Sequence, residues 1–325
     1  MNNSRRTPLV LAALAGSLLL AAHAAATEPS PPALAEAAAD RSQHEGEGAL
    51  LRLQVLLDRA RFGPGEIDAQ AGSNQARALR GYQAANHLPA TGQADPATWS
   101  ALERDTAPVL KDYVLTAADV AGPYPALPAD MMERARLPAL GHASLAEALG
   151  ERFHASPALL QRLNPGLDGA SAGTTVTVPA TDTAPALPKA ARVVVDRSES
   201  VLRLLDAQGQ VTAQYPASTG SEHDPLPVGE WKITTVVRDP TFHYNPDLFW
   251  DADPAHSKAT LAPGPNNPVG TVWIDLSKPH YGIHGTPEPA GVGKRQSHGC
   301  IRLTNWDAAA VALAVDASVP VTLQE

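Results

Sequence analysis

Gly-Ile-His-Gly-Thr at residues 282–286 and Ser-His-Gly-Cys-Ile-Arg at residues 297–302 are the two runs that decide how this chain folds and what it does. Cys300 is the only cysteine in the sequence. A thiol is a nucleophile only as the thiolate, so a catalytic cysteine needs a neighbouring base or a positive environment. Two histidines compete for that role. His298 is two residues from Cys300, whereas His284 reaches the thiol only if the fold joins the two runs.

The two runs resemble the signature of the YkuD-type L,D-transpeptidases, a family of bacterial cell-wall enzymes. The residues that carry the resemblance are Ile283, His284, Gly285, Thr286, Ser297, His298, Gly299, Cys300, Ile301, Arg302 and Asn305. The resemblance implies a mainly β catalytic domain, which we place at residues 190–324. The local pattern agrees, because short β-rich runs separated by turns begin at residue 192 and one helix is predicted after residue 304.

The resemblance also implies roles for the residues of the site. Cys300 attacks a peptide carbonyl to form a thioester, and His284 is the base that activates the thiol. His298 helps to shape the site. Backbone N–H groups beside the thiol form an oxyanion hole, and a backbone carbonyl orients the His284 ring. The residues expected to provide this orientation and oxyanion binding are Gly299, Gly285 and Ser297.

The substrate implied by the resemblance is peptidoglycan. The acyl group of a tetrapeptide stem is transferred to an amine with loss of the terminal D-residue, no cofactor or metal is used, and carbapenems acylate the cysteine. The acceptor stays open between a second stem, a lipoprotein side chain and water. Expected partners are stem peptides and glycan strands. Nucleic acid is not expected, because a net charge of -9 does not suit phosphate binding.

Arg302, Tyr281 and Trp250 are candidates for substrate binding. The guanidinium of Arg302 suits a substrate carboxylate or a loop contact, although a surface salt bridge fits the sequence equally well. Trp250 belongs to a long segment at residues 238–268, and long segments in compact domains are often binding loops or lids. Phe249 and Trp250 either line a cleft or pack under their own loop.

Two alternatives use the same residues differently. His284, His298 and Cys300 are a chemically reasonable set of three zinc ligands, which predicts a zinc-dependent wall hydrolase. No His-Glu-x-x-His helix supports this alternative. The other alternative is a wall-binding protein without catalytic activity, in which the cysteine is incidental.

The N-terminal residues predict export. Residues 1–26 combine arginines, a short apolar run and small residues, as a secretory signal peptide does, and no later run is long enough to span a membrane. We therefore expect the periplasm or the cell wall, with no membrane span after cleavage. Residues 27–47, which are rich in Pro and Ala, predict a flexible linker.

Two small modules are expected between the linker and the catalytic domain, so the fold class is multidomain. Residues 48–106 show three short helices, a Pro-Gly-Glu-Ile-Asp turn and a Thr-Trp near the end, and they resemble the three-helix peptidoglycan-binding-like domain. Residues 107–184 contain two helices and a strand that resemble the second half of a LysM module, so we predict an α/β LysM-like segment and connector. Its first strand is not evident, because prolines precede residue 141.

Overall fold

The computed structural model describes residues 31–325. The predicted signal peptide at residues 1–26 lies outside the described residues. Within residues 31–325, the helices are all too short or too polar to cross a lipid bilayer.

Four helices form the first module: α1 Pro31–Ala39, α2 Gly46–Arg59, α3 Ser73–Ala85 and α4 Pro96–Leu102. The three helices predicted for residues 48–106 are confirmed as α2 to α4. Four leucines of α2, together with Leu79 and Trp99, are buried in one apolar core; the four are Leu51, Leu53, Leu56 and Leu57. Helix α4 begins at Pro96 because the Asp95 side chain accepts a hydrogen bond from the Thr98 N–H and satisfies one of the free donors at the helix start.

The linker predicted for residues 27–47 is wrong over most of its described part. Residues 31–39 form α1, in which Leu34 and Ala38 are fully buried against the core of the first module. These two residues are one turn apart on the same helix face. Alanine has the highest helix propensity, and the contact with α2 adds the burial that a spacer would lack.

The first strand of the second module, which was not evident before residue 141, lies about 30 residues earlier in the chain. Strand β1 Leu110–Val114 pairs antiparallel with β2 Thr175–Pro179. Helices α5 Ala117–Val120, α6 Met131–Arg134, α7 Leu145–Phe153 and α8 Pro157–Leu163 lie between them. A β-α-α-β unit is therefore formed by β1, α7, α8 and β2, and residues 115–143 are an insertion within it. Because this proline-rich insertion separates β1 from α7, the residues just before α7 show no strand pattern.

The third module, at residues 190–324, is built on one mixed sheet, in the order β11-β10-β9-β6-β12-β3-β4-β5. Its strands are β3 Arg192–Asp196, β4 Val201–Leu205, β5 Val211–Pro216, β6 Gly229–Arg238, β9 Val272–Leu276, β10 Gly282–His284, β11 Ile301–Arg302 and β12 Pro320–Gln324. Helix α9 Asn305–Ala314 packs its buried residues against the apolar face of this sheet. The predicted mainly β domain is confirmed.

The long segment at residues 238–268 carries a small hairpin of its own, formed by β7 Phe242–Tyr244 and β8 Ala259–Leu261. The insertion of the second module supports this hairpin, because Leu140 packs with Tyr244 and Leu261 in a separate apolar cluster. The His256 ring joins them further, with Nδ1 2.9 Å from the Tyr244 hydroxyl and Nε2 2.9 Å from an Asp130 carboxylate oxygen.

The three modules meet around a buried acidic group on α9. The His154 ring, at the end of α7, stacks on Trp306 at 5.2 Å between ring centroids and lies 3.0 Å from an Asp58 carboxylate oxygen of α2. Asp307 lies in the same cluster and is buried. Burial, reinforced by the negative charge of Asp58, raises the pKa of Asp307 to about 7.

We expect Asp307→Asn to flatten the pH dependence of stability. An aspartate has a pKa near 3.9 when unfolded, so between about pH 4 and pH 7 the native state holds a proton that the unfolded state has released. The native protein therefore loses stability as the pH rises, by up to about 1.4 kcal/mol per pH unit from this group. Urea unfolding from pH 5 to pH 8 measures this slope, and parallel curves for the native and variant proteins would contradict the assignment.

Candidate active site

The sheet brings the two sequence runs together. Strands β10 and β11 are parallel neighbours, with Ile283 paired to Ile301 and His284 paired to Arg302. Because side chains alternate along a strand, both isoleucines enter the core and His284 and Arg302 share the opposite face. Cys300 immediately precedes β11, and the same alternation places its thiol on the face of His284.

The His284 ring is held on three sides. It is buried, and it stacks on Trp273 of β9 with 5.5 Å between ring centroids. Its Nδ1 atom lies 2.6 Å from the Gly285 carbonyl oxygen. Because a carbonyl can only accept, Nδ1 carries the proton and Nε2 keeps a free lone pair. Burial and, next, the charge of Arg302 lower the pKa of His284 to about 3 despite the bond to Gly285, so the ring is neutral at pH 7.

Asn305, the first residue of α9, supports the backbone behind His284. Its Oδ1 atom accepts a hydrogen bond from the Thr271 N–H at 3.2 Å, and its Nδ2 atom donates to Glu151 of the second module at 2.9 Å. A Cβ atom on Gly285 would lie 2.1 Å from the Asn305 Oδ1 atom. Glycine is therefore required at position 285 for α9 to approach this closely.

Cys300 is half-buried and has a protonated thiol at rest. Its thiol donates a weak hydrogen bond to the His280 carbonyl oxygen at 3.8 Å, and no hydrogen bond joins it to the His284 ring within the described chain. Burial raises the pKa of the Cys300 thiol, and the Gly282 N–H and the Arg302 charge offset this only in part. Proton transfer must then accompany attack, because no thiolate is formed beforehand.

We expect the alkylation of Cys300 by iodoacetamide to reflect this raised pKa. The thiolate is the reactive form, so the rate should still be rising above about pH 8.5, the ordinary thiol pKa. Intact-mass spectrometry at a series of pH values measures the rate, and Cys300→Ala is the unlabelled control. A rate that levels off below pH 7 would instead indicate a thiolate paired with a histidinium.

The turn before the thiol is fixed by its own side chains. Ser297 is buried, and its hydroxyl donates to the Cys300 carbonyl oxygen at 2.5 Å. Gly299 has φ 93°, which is unfavourable for residues with a side chain, and a Cβ atom there would lie 3.0 Å from the Tyr281 ring. Neither the Gly299 nor the Cys300 N–H donates a hydrogen bond within residues 31–325. Two backbone donors beside the thiol are thus available to a ligand.

The His298 ring contacts the long segment at residues 238–268. Its Nε2 atom lies 3.0 Å from an Asp251 carboxylate oxygen, and the Phe249 ring packs edge-on against it at 5.2 Å. Trp250 is 61% exposed and its ring lies 4.4 Å from that of His223. Of the two roles predicted for these residues, Phe249 packs under its own loop, whereas Trp250 is exposed beside the site.

Arg302 is partly buried and makes no ion pair within the described part of the chain. Its Nε atom is buried without a hydrogen-bond partner there. The surface salt bridge that the sequence left open is therefore not formed. The zinc alternative also lacks its geometry, because no three His, Cys, Asp or Glu side chains of residues 31–325 converge as metal ligands.

Several residues near the site were missed by the sequence analysis. Trp273 was detectable, because it alternates with the buried Val272 and Ile274 along β9 and so must face the side of His284. Asp251 and His223 lie in loops, where no periodicity marks a functional side chain.

Two modules of the chain are similar to known protein families. Residues 190–323 match the model of the L,D-transpeptidase catalytic domain, and residues 47–102 match that of the "Putative peptidoglycan binding domain". The "Putative L,D-transpeptidase YkuD" of Bacillus licheniformis is 31% identical over 163 residues, which cover 50% of this chain and 82% of that protein. Its namesake from Bacillus subtilis is 31% identical over 172 residues, which cover 53% of this chain and 88% of that protein.

Among solved structures, L,D-transpeptidase 3 from Mycobacterium tuberculosis, in complex with a faropenem-derived adduct, is 22% identical with a TM-score of 0.34. The similar region covers 41% of this chain and 59% of that chain.

Proposed function

Because the chain belongs to the L,D-transpeptidase family, we propose that it crosslinks or remodels peptidoglycan by acyl transfer through a thioester on Cys300. The observation that carries this proposal is the pairing of β10 with β11, which brings the neutral His284 to the strand that Cys300 immediately precedes. The donor in this proposal is a tetrapeptide stem, and the acceptor is an amine.

The first half-reaction acylates the thiol. The Nε2 atom of His284 takes the thiol proton as Sγ attacks the carbonyl carbon of the third stem residue. The N–H groups of Gly299 and Cys300 stabilise the oxyanion, and one such donor is typically worth about 3 kcal/mol of barrier lowering. The C–N bond to the terminal D-residue then breaks, and His284 returns the proton to the leaving amine. This step leaves a thioester and a neutral imidazole.

The second half-reaction reverses the proton transfers. An acceptor amine gives a proton to His284 and attacks the thioester carbonyl, and the C–S bond breaks to restore the thiol. Ser297 and Gly285 act by orientation, since one closes the turn before Cys300 and the other fixes the His284 tautomer. His298 acts indirectly, because its ring connects the turn at residues 297–300 to Asp251 of the long segment.

Substrate binding is assigned to the groups around the thiol. The guanidinium of Arg302, whose Nε atom has no hydrogen-bond partner among the described residues, suits a carboxylate of the donor. Tyr281, whose ring borders Gly299, and the exposed Trp250 provide apolar walls for the stem. Residues 190–324 would then be the catalytic domain, and residues 48–106 and 107–184 would hold the protein on the wall after secretion, the latter as a LysM-like unit that binds glycan strands.

Product analysis tests the proposed function. Incubation of the protein with purified tetrapeptide stems, with and without an added amine, should give crosslinked dimers or amine adducts that mass spectrometry identifies. Release of tripeptide alone would identify water as the acceptor and a hydrolase. No product under any condition would favour a wall-binding protein without catalytic activity.

We also expect a carbapenem to add covalently to Cys300. The β-lactam carbonyl is a strained amide, and attack by the same thiol would give a thioester that lacks a free leaving amine. The intact mass should increase by one carbapenem. An unchanged mass after prolonged incubation would count against the assigned nucleophile.

A further inference from the structure

A positively charged cavity of about 400 Å³ lies where the first module meets the catalytic domain. Its basic lining side chains are Arg77, Arg197, Lys294 and Arg295, and its lining includes no aspartate or glutamate. Hydroxyl groups of Ser200, Ser218 and Thr219 complete the polar wall. Such a concentration of positive charge is notable in a chain of net charge -9.

Two of the four basic side chains form no ion pair among the described residues, although the charge of Lys294 acts on Glu66 and opposes the rise in its pKa that burial causes. Lys294 is exposed and forms no ion pair with any described residue. Arg77 donates only to neutral oxygens, including the Asn74 side chain at 2.8 Å and the Gly293 carbonyl at 3.0 Å. Arg197 and Arg295 pair with exposed carboxylates outside the cavity. The cavity is therefore suited to an anionic ligand.

The wall of the cavity is hydrogen-bonded to β11, the strand that follows Cys300. Ser218, in its wall, exchanges two backbone hydrogen bonds of 2.9 Å with Arg302. Gln296, at its rim, is four residues from Cys300, so the chain limits their Cα separation to about 14 Å. An extended peptide of four or five residues spans a similar length, about 14 to 17 Å. A peptide with one end in the cavity can therefore reach the thiol.

We propose that this cavity binds a carboxylate of the acceptor stem peptide and so aligns the acceptor amine with the acylated Cys300. The inference rests on the proposed function and extends it to a second binding site, built jointly by α3 of the first module and the turn before the catalytic motif. A stem peptide ends in a carboxylate, whereas the basic side chains of the cavity offer no means of selecting a neutral amine.

The test compares two acceptors on the full chain. Both are short peptides with the same amine, one ending in a free carboxylate and the other in a carboxamide, and KM for each is measured with a saturating tetrapeptide donor. The variants are Lys294→Gln and Arg77→Gln. Lys232→Gln is the matched control, because Lys232 is an exposed lysine on β6 outside the cavity.

The native protein should prefer the carboxylate by roughly twofold to fivefold in KM, the range expected for one exposed charge pair. Lys294→Gln should bring this ratio close to one, and Lys232→Gln should keep it. Arg77→Gln should also lower this ratio. The comparison remains valid even if the variant weakens the contact between the first module and the catalytic domain, because both KM values are measured on the same variant. Equal KM values for both acceptors in the native protein, or a ratio unchanged in both cavity variants, would overturn the inference. Absence of acylation by donor alone would instead overturn the proposed function.

Discussion

Replacement of Cys300 by alanine is expected to abolish both half-reactions. Alanine has no atom that can form the thioester, so only the background rate of aminolysis remains, and we expect a loss of at least about 10⁴-fold in dimer formation. The measurement is the rate of crosslinked dimer formation from tetrapeptide stems.

The fold should tolerate this change. The thiol is half-buried and its hydrogen-bond partner is a distant carbonyl, so Cys300→Ala should shift the free energy of unfolding by less than about 1 kcal/mol. Unfolding curves provide this control. If the variant, shown to be folded, still made dimers at a rate within tenfold of the native protein, roughly 1.4 kcal/mol in the barrier, Cys300 would not be the nucleophile.

Replacement of His284 by glutamine should cause the next largest loss. A positioned general base typically contributes about 10²-fold to 10⁴-fold, and glutamine cannot accept the thiol proton. Its amide N–H can still donate to the Gly285 carbonyl, so the buried polar contact is kept. We expect acylation by a tetrapeptide donor to slow by that factor.

His298→Gln is the matched control, because it changes the histidine nearest in sequence to the thiol. That ring contacts Asp251 and Phe249, and we expect its loss to slow acylation far less than the loss of His284. If His298→Gln slowed acylation more than His284→Gln, His298 would be the general base and His284 the supporting residue. The pH dependence of the acylation rate gives a second test. On the acid side the rate should fall as His284 becomes protonated, near its pKa of about 3 instead of the ordinary 6.5.

The residue types and their spacing predicted the secondary structure of the catalytic domain better than they predicted the contacts between elements. The strands of the catalytic domain follow from β-rich runs bounded by turns, and the cap at Thr304 follows from a hydroxyl before a helix. The pairing of β10 with β11, which brings the His284 and Cys300 runs together, could not be predicted from local patterns, because residues on different strands carry no local signal of their pairing.

Long-range packing explains what could not be predicted. Helix α1 forms because Leu34 and Ala38 find a partner surface on α2, and composition alone gives no sign of that surface. Strand β1 was missed because its partner β2 lies beyond four intervening helices. The pairing of His298 with Asp251 depends on the path of a loop, which hydrophobic periodicity does not describe.

The proposed function depends most directly on an acyl group carried by Cys300. The full chain, incubated with a tetrapeptide donor and no acceptor and then quenched in acid, should gain the mass of the donor less its terminal D-residue. Peptide mapping should place that gain on the fragment containing Cys300. A donor that is consumed while the protein shows no adduct, or an adduct on another residue, would contradict the account.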